Sequence, residues 1–258
     1  MKIVSLIENT TQRPDMQVEH GLSLYIETAD HKILFDMGQT DLFAKNAEVL
    51  GIDLSQVDLA ILSHGHYDHG GGLKKFLELN EKAPVYIQKD AFLPHYGSAA
   101  TYIGLDTSLL DSPRVILTED LWHLDTGLTL LSCNQRTRKY NLGQNNLTEK
   151  VGDEFIPDDF RHEQYLLVEE AGKKILISGC SHKGILNIVE WFSPDVLVGG
   201  FHFFKMELDK ELSDAAKQLN TSATEFYTCH CTGTEQYAFI QKYMKRLNYL
   251  SCGQTLDI

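Results

Sequence analysis

Ser63-His64-Gly65-His66-Tyr67-Asp68-His69-Gly70 follows the apolar run Leu59-Ala60-Ile61-Leu62, and the reading of this passage decides the fold. Four apolar residues bounded by polar turn signals predict a buried strand, and the His-x-His-x-Asp-His string begins where that strand stops. Side chains two apart in extended backbone point the same way, so His64 and His66 can grip one cation. The chain then turns through Gly65 to Gly72 and offers Asp68 and His69 to a second. Imidazoles packed this tightly would repel one another if protonated, and a metal holds them neutral. Gly70-Gly71-Gly72 lacks the Lys and Ser/Thr of a nucleotide loop and reads as the tight turn into a helix over Leu73 to Leu79.

On the N-terminal side of this passage, Lys2 to Leu6, Leu22 to Glu27 and His31 to Phe35 predict an antiparallel meander, and Asp41 to Leu50 a helix ending at Gly51. The second half repeats that logic. Tyr165 to Val168 and Lys174 to Ser178 flank Ala171-Gly172 as a hairpin, Ile185 to Phe192 reads as a helix and Asp195 to Val198 as a strand. Lys210 to Leu219 is a helix and Glu225 to Cys229 a strand. Glu235 to Leu247 is an amphipathic helix with Tyr237, Ile240, Met244 and Leu247 on one face. Two sheets with helices outside both is the natural packing of such an order. No linker or fixed-period repeat divides the chain, so one domain over residues 1–258 is expected. Ser132 to Phe160 has no assignable periodicity and is long for an ordinary loop, which marks it as functional or mobile.

Composition narrows the chemistry. The chain has 258 residues, 43% of them hydrophobic, and a formal charge of −13, with no basic block beyond Arg136-Thr137-Arg138-Lys139. Nucleic acid is an unfavoured partner. No apolar run approaches the roughly 20 residues of a membrane span, and the N-terminus reads as a first strand. The five cysteines, 133, 180, 229, 231 and 252, are odd in number and fit neither a disulfide framework nor paired C-x-x-C ligands. A cytoplasmic location follows as the expectation. Nothing in the chain fixes an oligomeric state.

The His64–His69 string, Glu19-His20-Gly21-Leu22-Ser23, Leu34-Phe35-Asp36-Met37-Gly38-Gln39, Asn46-Ala47-Glu48, Gly179-Cys180-Ser181-His182 and Cys229-His230-Cys231-Thr232-Gly233 together resemble the metallo-β-lactamase-fold superfamily. The branch is similar to the dihydropterin synthase-like group of methanopterin biosynthesis. The resemblance covers essentially the whole chain. It implies an α/β (α+β) fold, a four-layer αββα sandwich, and a binuclear site at one edge of the two sheets, to which His64, His66, Asp68, His69 and His230 are assigned, with Cys180 and His182 added on the reading below. Two divalent metal ions are then the expected cofactors, zinc by default, with iron or manganese suiting the donor set equally.

One departure stands out: the superfamily's Gly-Asp pair is Gly179-Cys180 here, so a thiol holds the usual carboxylate slot. His182 would share a side with Cys180 if the strand continued, and is read as the third ligand of the first metal, with His162 as its rival. Cys180 is a bridging or flanking thiolate, or else a small buried hydrophobe. His230 takes the place of the superfamily's last ligand, while Cys229 and Cys231 point away from it in extended backbone and read as packing residues. Asp36 is expected to accept a hydrogen bond from a ligand histidine and orient it. Asp68, His202, Glu19 and His20 are the candidate catalytic residues. His31, His95 and His123 have no companion residues and read as surface or satisfied core histidines. Arg136, Arg138 and Lys139 are a solvated run or a hold for a substrate phosphate.

Three functional classes follow. The first is a metallo-hydrolase acting on an ester or phosphoester-type small molecule, phosphorylated or pterin-like, with a related transferase that joins a pterin methyl diphosphate to an aminobenzene ribofuranosyl phosphate. The second is a di-iron redox enzyme, for which 258 residues leave no room for a flavin partner domain. The third is a non-catalytic metal-dependent redox or ligand sensor triggered at Cys180.

Overall fold

Most strands of this chain are apolar on both faces, which demands cover on both sides. The computed structural model describes residues 1–141 and 146–258. β1 (Lys2–Ile7), β2 (Ser23–Glu27) and β3 (Lys32–Phe35) form the expected antiparallel meander. α1 (Leu42–Val49), β4 (Leu59–Leu62), the single-turn α2 (Tyr67–Gly70), α3 (Leu73–Leu79) and β5 (Val85–Gln88) follow. Next come the two-residue β6 (His95–Tyr96) and then β7 (Val115–Thr118).

The second half opens with β8 (Leu121–Asp125) and β9 (Leu128–Leu131), then β10 (Thr148–Val151) and β11 (Glu154–Pro157). The expected hairpin is β12 (Tyr165–Glu170) with β13 (Lys173–Ile177). α4 (Ile185–Phe192), β14 (Val196–Gly199), α5 (Lys210–Leu219), β15 (Glu225–Thr228) and α6 (Thr234–Ile240) alternate after it, and β16 (Leu247–Tyr249) and β17 (Thr255–Asp257) close the order.

These strands make two seven-stranded sheets, ordered β17-β1-β2-β3-β4-β5-β7 and β16-β15-β14-β13-β12-β9-β8. Each is built the same way. The first is antiparallel from β17 to β3 and parallel from β3 to β7; the second is antiparallel from β8 to β13 and parallel from β13 to β16. Side-chain alternation sorts the apolar residues into three cores. Ile33, Phe35, Leu59 and Ile61 meet Ile175, Ile177, Val196 and Val198 between the sheets. Leu34, Ala60 and Leu62 turn outward to Phe43 and Phe76 of α1 and α3. Leu176, Leu197 and Phe226 turn outward to Ile185, Leu212 and Ile240 of α4, α5 and α6. Three cores separate four layers, the expected αββα sandwich. No described helix is long and apolar enough to cross a membrane.

Two readings of the sequence need correction. The amphipathic pattern from Glu235 to Leu247 is not one helix: α6 ends at Ile240, and Leu247 opens β16. Tyr237, Ile240, Met244 and Leu247 still share one core, so the apolar face was read correctly and the backbone was not. The switch comes where the Arg246 carbonyl accepts the Phe226 N–H at 3.0 Å and the chain docks beside β15. Second, the segment from Ser132 to Phe160 carries β10 and β11, which pair with β6 as a small third sheet; residues 142–145 within it lie outside the described residues. Its basic cluster is already engaged, Arg136 with the Trp191 carbonyl, Arg138 with the Asp159 carbonyl and Lys139 with Glu190.

Phe35 lies at the centre of the inter-sheet core with no exposed surface. Phe35→Ala should therefore cost about 3–5 kcal/mol through lost burial and the cavity left behind. Thermal or urea unfolding checks this, and a change under 1 kcal/mol would contradict the packing described.

Candidate metal centre

β1, β3, β4, β13, β14 and β15 all discharge their chain ends at one edge of the two sheets, and each delivers polar residues there. Asp36, directly after β3, adopts φ +59°, a left-handed conformation that Asp tolerates better than most residues. Its carboxylate accepts the Ser63 N–H at 2.7 Å, the Ser63 hydroxyl at 2.7 Å and His69 Nδ1–H at 2.7 Å. Because the Ser63 proton is committed to Asp36, the Ser63 oxygen accepts from His64 Nδ1–H at 2.8 Å. One buried carboxylate therefore places the protons of His64 and His69 on Nδ1 and leaves Nε2 of both as a lone pair. Residue 179 has to be glycine for this arrangement, since a Cβ there would lie 2.2 Å from Ser63 Oγ.

His230 is set from the opposite side. It sits at φ +47°, its peptide N–H donates to Glu8 Oε1 at 2.7 Å, and its Nδ1–H donates to Asn9 Oδ1 at 2.8 Å. His182 donates its peptide N–H to Glu163 Oε1 at 2.6 Å, and its ring stacks on Phe160 with centroids 4.5 Å apart. The result is two close pairs of ring nitrogens: His69 Nε2 lies 3.2 Å from His230 Nε2, and His64 Nε2 lies 3.3 Å from His182 Nε2. In the first pair both rings carry their protons on Nδ1, and two lone pairs at that distance repel unless a proton or a cation stands between them. In the second, His182 Nδ1 is buried without a partner, so His182 Nε2 can itself donate to His64. The donor sets agree with a cation. One donor atom from each of His64, His66 and His182 falls within a 4.8 Å cluster, and the same holds for His64, His69 and Cys180, for Cys180, His230 and Cys231, and for His20, Asp68 and His230. Cys180 Sγ is 3.2 Å from His69 Nε2.

Burial and mutual repulsion keep these rings neutral. Burial, then the neighbouring imidazoles, push His64 and His182 well below the usual histidine range. His66 is likewise held well below it. Burial brings His202 down to about 3 and His230 to about 4. His69 goes the other way: burial opposes protonation, but Asp36 and Asp68 outweigh it. Burial raises the Cys180 thiol well above its ordinary range, so without a cation it stays protonated.

Above these groups is a cavity of about 120 Å³, lined in part by Tyr67, Ile103, Leu147, His202, Phe204 and Lys205. His20 also lines it. The His20 Nδ1 accepts from Asn9 Nδ2 at 3.3 Å, which puts its proton on Nε2, 3.2 Å from Asp68 Oδ2. Glu19 is placed elsewhere: its carboxylate accepts from the N–H groups of Gln39 and Thr40 and from the Thr40 hydroxyl, a turn clamp rather than a cavity wall.

Several residues differ from the sequence reading. Cys231 faces the cavity, since the backbone at His230 is left-handed and strand alternation no longer applies; Cys229 packs in the inter-sheet core as expected. His95 has companions after all, its ring centroid lying 4.0 Å from that of His162. His31 and His123 pair with Asp125 and Thr129 away from the site. His162 accepts the Gly65 N–H at Nδ1 and contacts Asp158 at Nε2, so both its nitrogens are committed. Glu8, Asn9, Glu163 and Asp158 were missed, because an isolated acidic or amide side chain after a strand carries no periodic signal.

The family model of the metallo-beta-lactamase superfamily matches residues 16–217. A protein of Methanocaldococcus jannaschii without an assigned function is 31% identical over 239 residues, covering 88% of this chain and 89% of its own length. A second protein of that organism, 7,8-dihydropterin-6-methyl-4-(beta-D-ribofuranosyl)-aminobenzene-5'-phosphate synthase, is 25% identical over 266 residues, with 92% and 90% covered. Among solved structures, Tm1679, called a metal-dependent hydrolase of the beta-lactamase superfamily, superimposes with a TM-score of 0.86 at 30% identity, covering 100% of this chain and 99% of that one.

The depressed histidines make a prediction for metal-free protein. The unfolded chain protonates these rings near 6.5, while the folded chain resists down to about 4 at His230. Between those values the unfolded state binds more protons, so stability present above pH 6.5 is lost as pH falls toward 4. His69 opposes this, but it is one ring. Melting temperature of chelator-treated protein should fall by several degrees across that window; a flat or rising profile would contradict the neutral cluster.

Proposed function

The chain belongs to the metallo-beta-lactamase superfamily, and with that as premise we propose that it is a binuclear metal-dependent hydrolase of an ester or phosphoester-type small molecule. His64, His66 and His182 would hold the first ion, and Asp68, His69, Cys180 and His230 the second. The observation that carries this reading is the 3.2 Å contact between His69 Nε2 and His230 Nε2, whose rings are both backed at Nδ1, by Asp36 and Asn9, so that lone pairs face each other. Zinc is the default ion, and iron or manganese suits the nitrogen and oxygen donors as well. When bound, such ions supply Lewis acidity and acidify water near neutral pH.

The chain's own groups do the rest. Asp68, held by His20 Nε2–H at Oδ2, the oxygen that also lies 3.4 Å from His230 Nε2, is kept ionised against the cost of burial by His69, His20 and His230, and so presents a carboxylate at the cavity floor. His202, neutral at physiological pH, offers a hydrogen bond to bound substrate rather than a positive charge. Lys205 is on the cavity wall of a chain whose net charge is −13, with its Nζ 5.0 Å from the Phe204 ring centroid, and Tyr67 also lines the cavity. Those features suit a small anionic molecule with a planar ring. The described residues are read as one domain over 1–258, and the five free, buried cysteines support a reducing cytoplasm.

A second reading has one specific support, the relative named as a dihydropterin-type synthase that aligns over 92% of this chain. There the cavity would hold a pterin methyl diphosphate and an aminobenzene nucleophile, and pyrophosphate release would distinguish transfer from hydrolysis.

Protein purified without chelator should carry close to two metal ions per chain by elemental analysis. Less than half an equivalent, before and after reconstitution, would sink the binuclear reading. His182→Ala should empty the first site as severely as His64→Ala, whereas His162→Ala should retain both ions because neither of its nitrogens is available. Cys180→Ser should weaken the second ion, since a hydroxyl gives up its proton far less readily than a thiol.

A further inference from the structure

Among the described residues, Cys180 and Cys231 are the cysteines that line the cavity, and the proposed chemistry uses only the first. The other three are placed elsewhere. Cys229 packs between the sheets, the Cys252 thiol donates to the Leu6 carbonyl at 3.1 Å, and Cys133 follows β9. Cys231 reaches the cavity because His230, at φ +47°, turns the chain out of strand alternation. The turn is then fixed by the Thr232 N–H on the Cys229 carbonyl at 3.0 Å and the Phe204 N–H on the Cys231 carbonyl at 3.1 Å.

Cys180 follows β13 and Cys231 follows β15, with β14 between them. The chain leaves β14 through Gly200, where a Cβ would lie 2.3 Å from Cys231 Sγ. Glycine therefore leaves open the path by which this thiol crosses β14 toward Cys180. It arrives 3.4 Å from the Cys180 carbonyl, and no disulfide joins the two residues. Donor atoms of Cys180, His230 and Cys231 all fall within 4.8 Å of one another, and all three residues are buried.

A coordinating thiol gives up its proton outright. Cys231 would thereby lose only its S–H contact with the Cys180 carbonyl, and an S–H is a weak donor. Two thiolates also balance the charge of one divalent ion, which counts for most where water is excluded. His230 and Cys231 are neighbours in sequence, so one fixed turn delivers a nitrogen and a sulfur together.

We propose that Cys231 is a second thiolate ligand of the second ion, beside Cys180. The inference rests on the binuclear reading above and changes the character of that site: thiolates favour zinc over manganese, whereas the first ion meets imidazoles alone.

The test uses the full-length chain, kept reduced and loaded with cobalt(II) until dialysis gives two ions per chain. Thiolate-to-cobalt charge transfer absorbs in the near ultraviolet, where imidazole and carboxylate ligands add nothing comparable. Cys231→Ser should lose about half of that absorption, as one of two sulfur donors goes. Cys180→Ser should keep part of it, since Cys231 still supplies a thiolate, and the double variant should lose it altogether. Cys133→Ser should match the parent. X-ray absorption of zinc-loaded Cys180→Ser should likewise retain a sulfur shell at about 2.3 Å. Loaded Cys180→Ser protein with neither signal, or Cys231→Ser protein that absorbs like the parent, would overturn the assignment, and either single variant decides it without the other. A parent chain that takes up neither cobalt nor zinc would overturn the metal-centre reading itself.

Discussion

A single carboxylate, Asp36, constrains the rest of the site. It has no exposed surface, and it receives two hydrogen bonds from Ser63 and one from His69. A buried carboxylate left unsatisfied would be costly, so these donors are obligatory rather than optional. Through them the end of β3 is tied to the end of β4, and two imidazoles are held in one tautomer. Glu8 and Glu163 repeat the device. Both are fully buried, Glu8 on the His230 N–H, the Tyr249 hydroxyl and Thr10, and Glu163 on the N–H groups of His182 and Lys183 and the Tyr165 hydroxyl. Three acids thus aim four histidines, and none of them need touch a ligand.

The duplicated sheet plan explains why these acids and histidines converge. In each sheet the parallel strands run to the same edge, and the chain leaving them there must satisfy free backbone groups with side chains. The donors divide accordingly: His64, His66, Asp68 and His69 hang from β4 of one sheet, and Cys180, His182 and His230 from β13 and β15 of the other. The cluster sits on the seam between two halves that also meet through the inter-sheet apolar core and through Gln164, which bonds the Leu62 and Tyr86 carbonyls. Its polar interior is tolerated in part because His64, His69 and His230 are backed by Ser63, Asp36 and Asn9.

Much of this was legible in the residues. The αββα order could be read because strands and helices with strong apolar periodicity, such as Ile185–Phe192 and Lys210–Leu219, form where the pattern places them. His64 to His69 and Asp36 were legible because they are local: the string is contiguous, and Asp36 directly follows an apolar run. Contacts of long sequence separation were not. Asp158 reaches His95 across 63 positions and Glu8 reaches His230 across 222, with no pattern linking them. Cys231 was misplaced by extrapolating strand geometry through a left-handed residue, and the end of α6 by extrapolating helical periodicity into an edge strand. Both errors came from assuming that backbone conformation continues where a side-chain pattern does.

The contact between Glu8 and His230 also bears on how the centre is assembled in a cell. At ordinary rates of translation, the roughly 160 residues separating His69 from His230 take on the order of ten to thirty seconds to synthesise. Throughout that interval the nascent chain displays three histidines and an aspartate in one short loop, while Glu8 and Asn9 wait without their partner. On the proposed metal-centre reading, such a string would meet the available ions before its distal partner exists. Selection of the metal would then depend on the ions supplied around the ribosome, or on exchange after release, once the distal histidine has come home to the first strand.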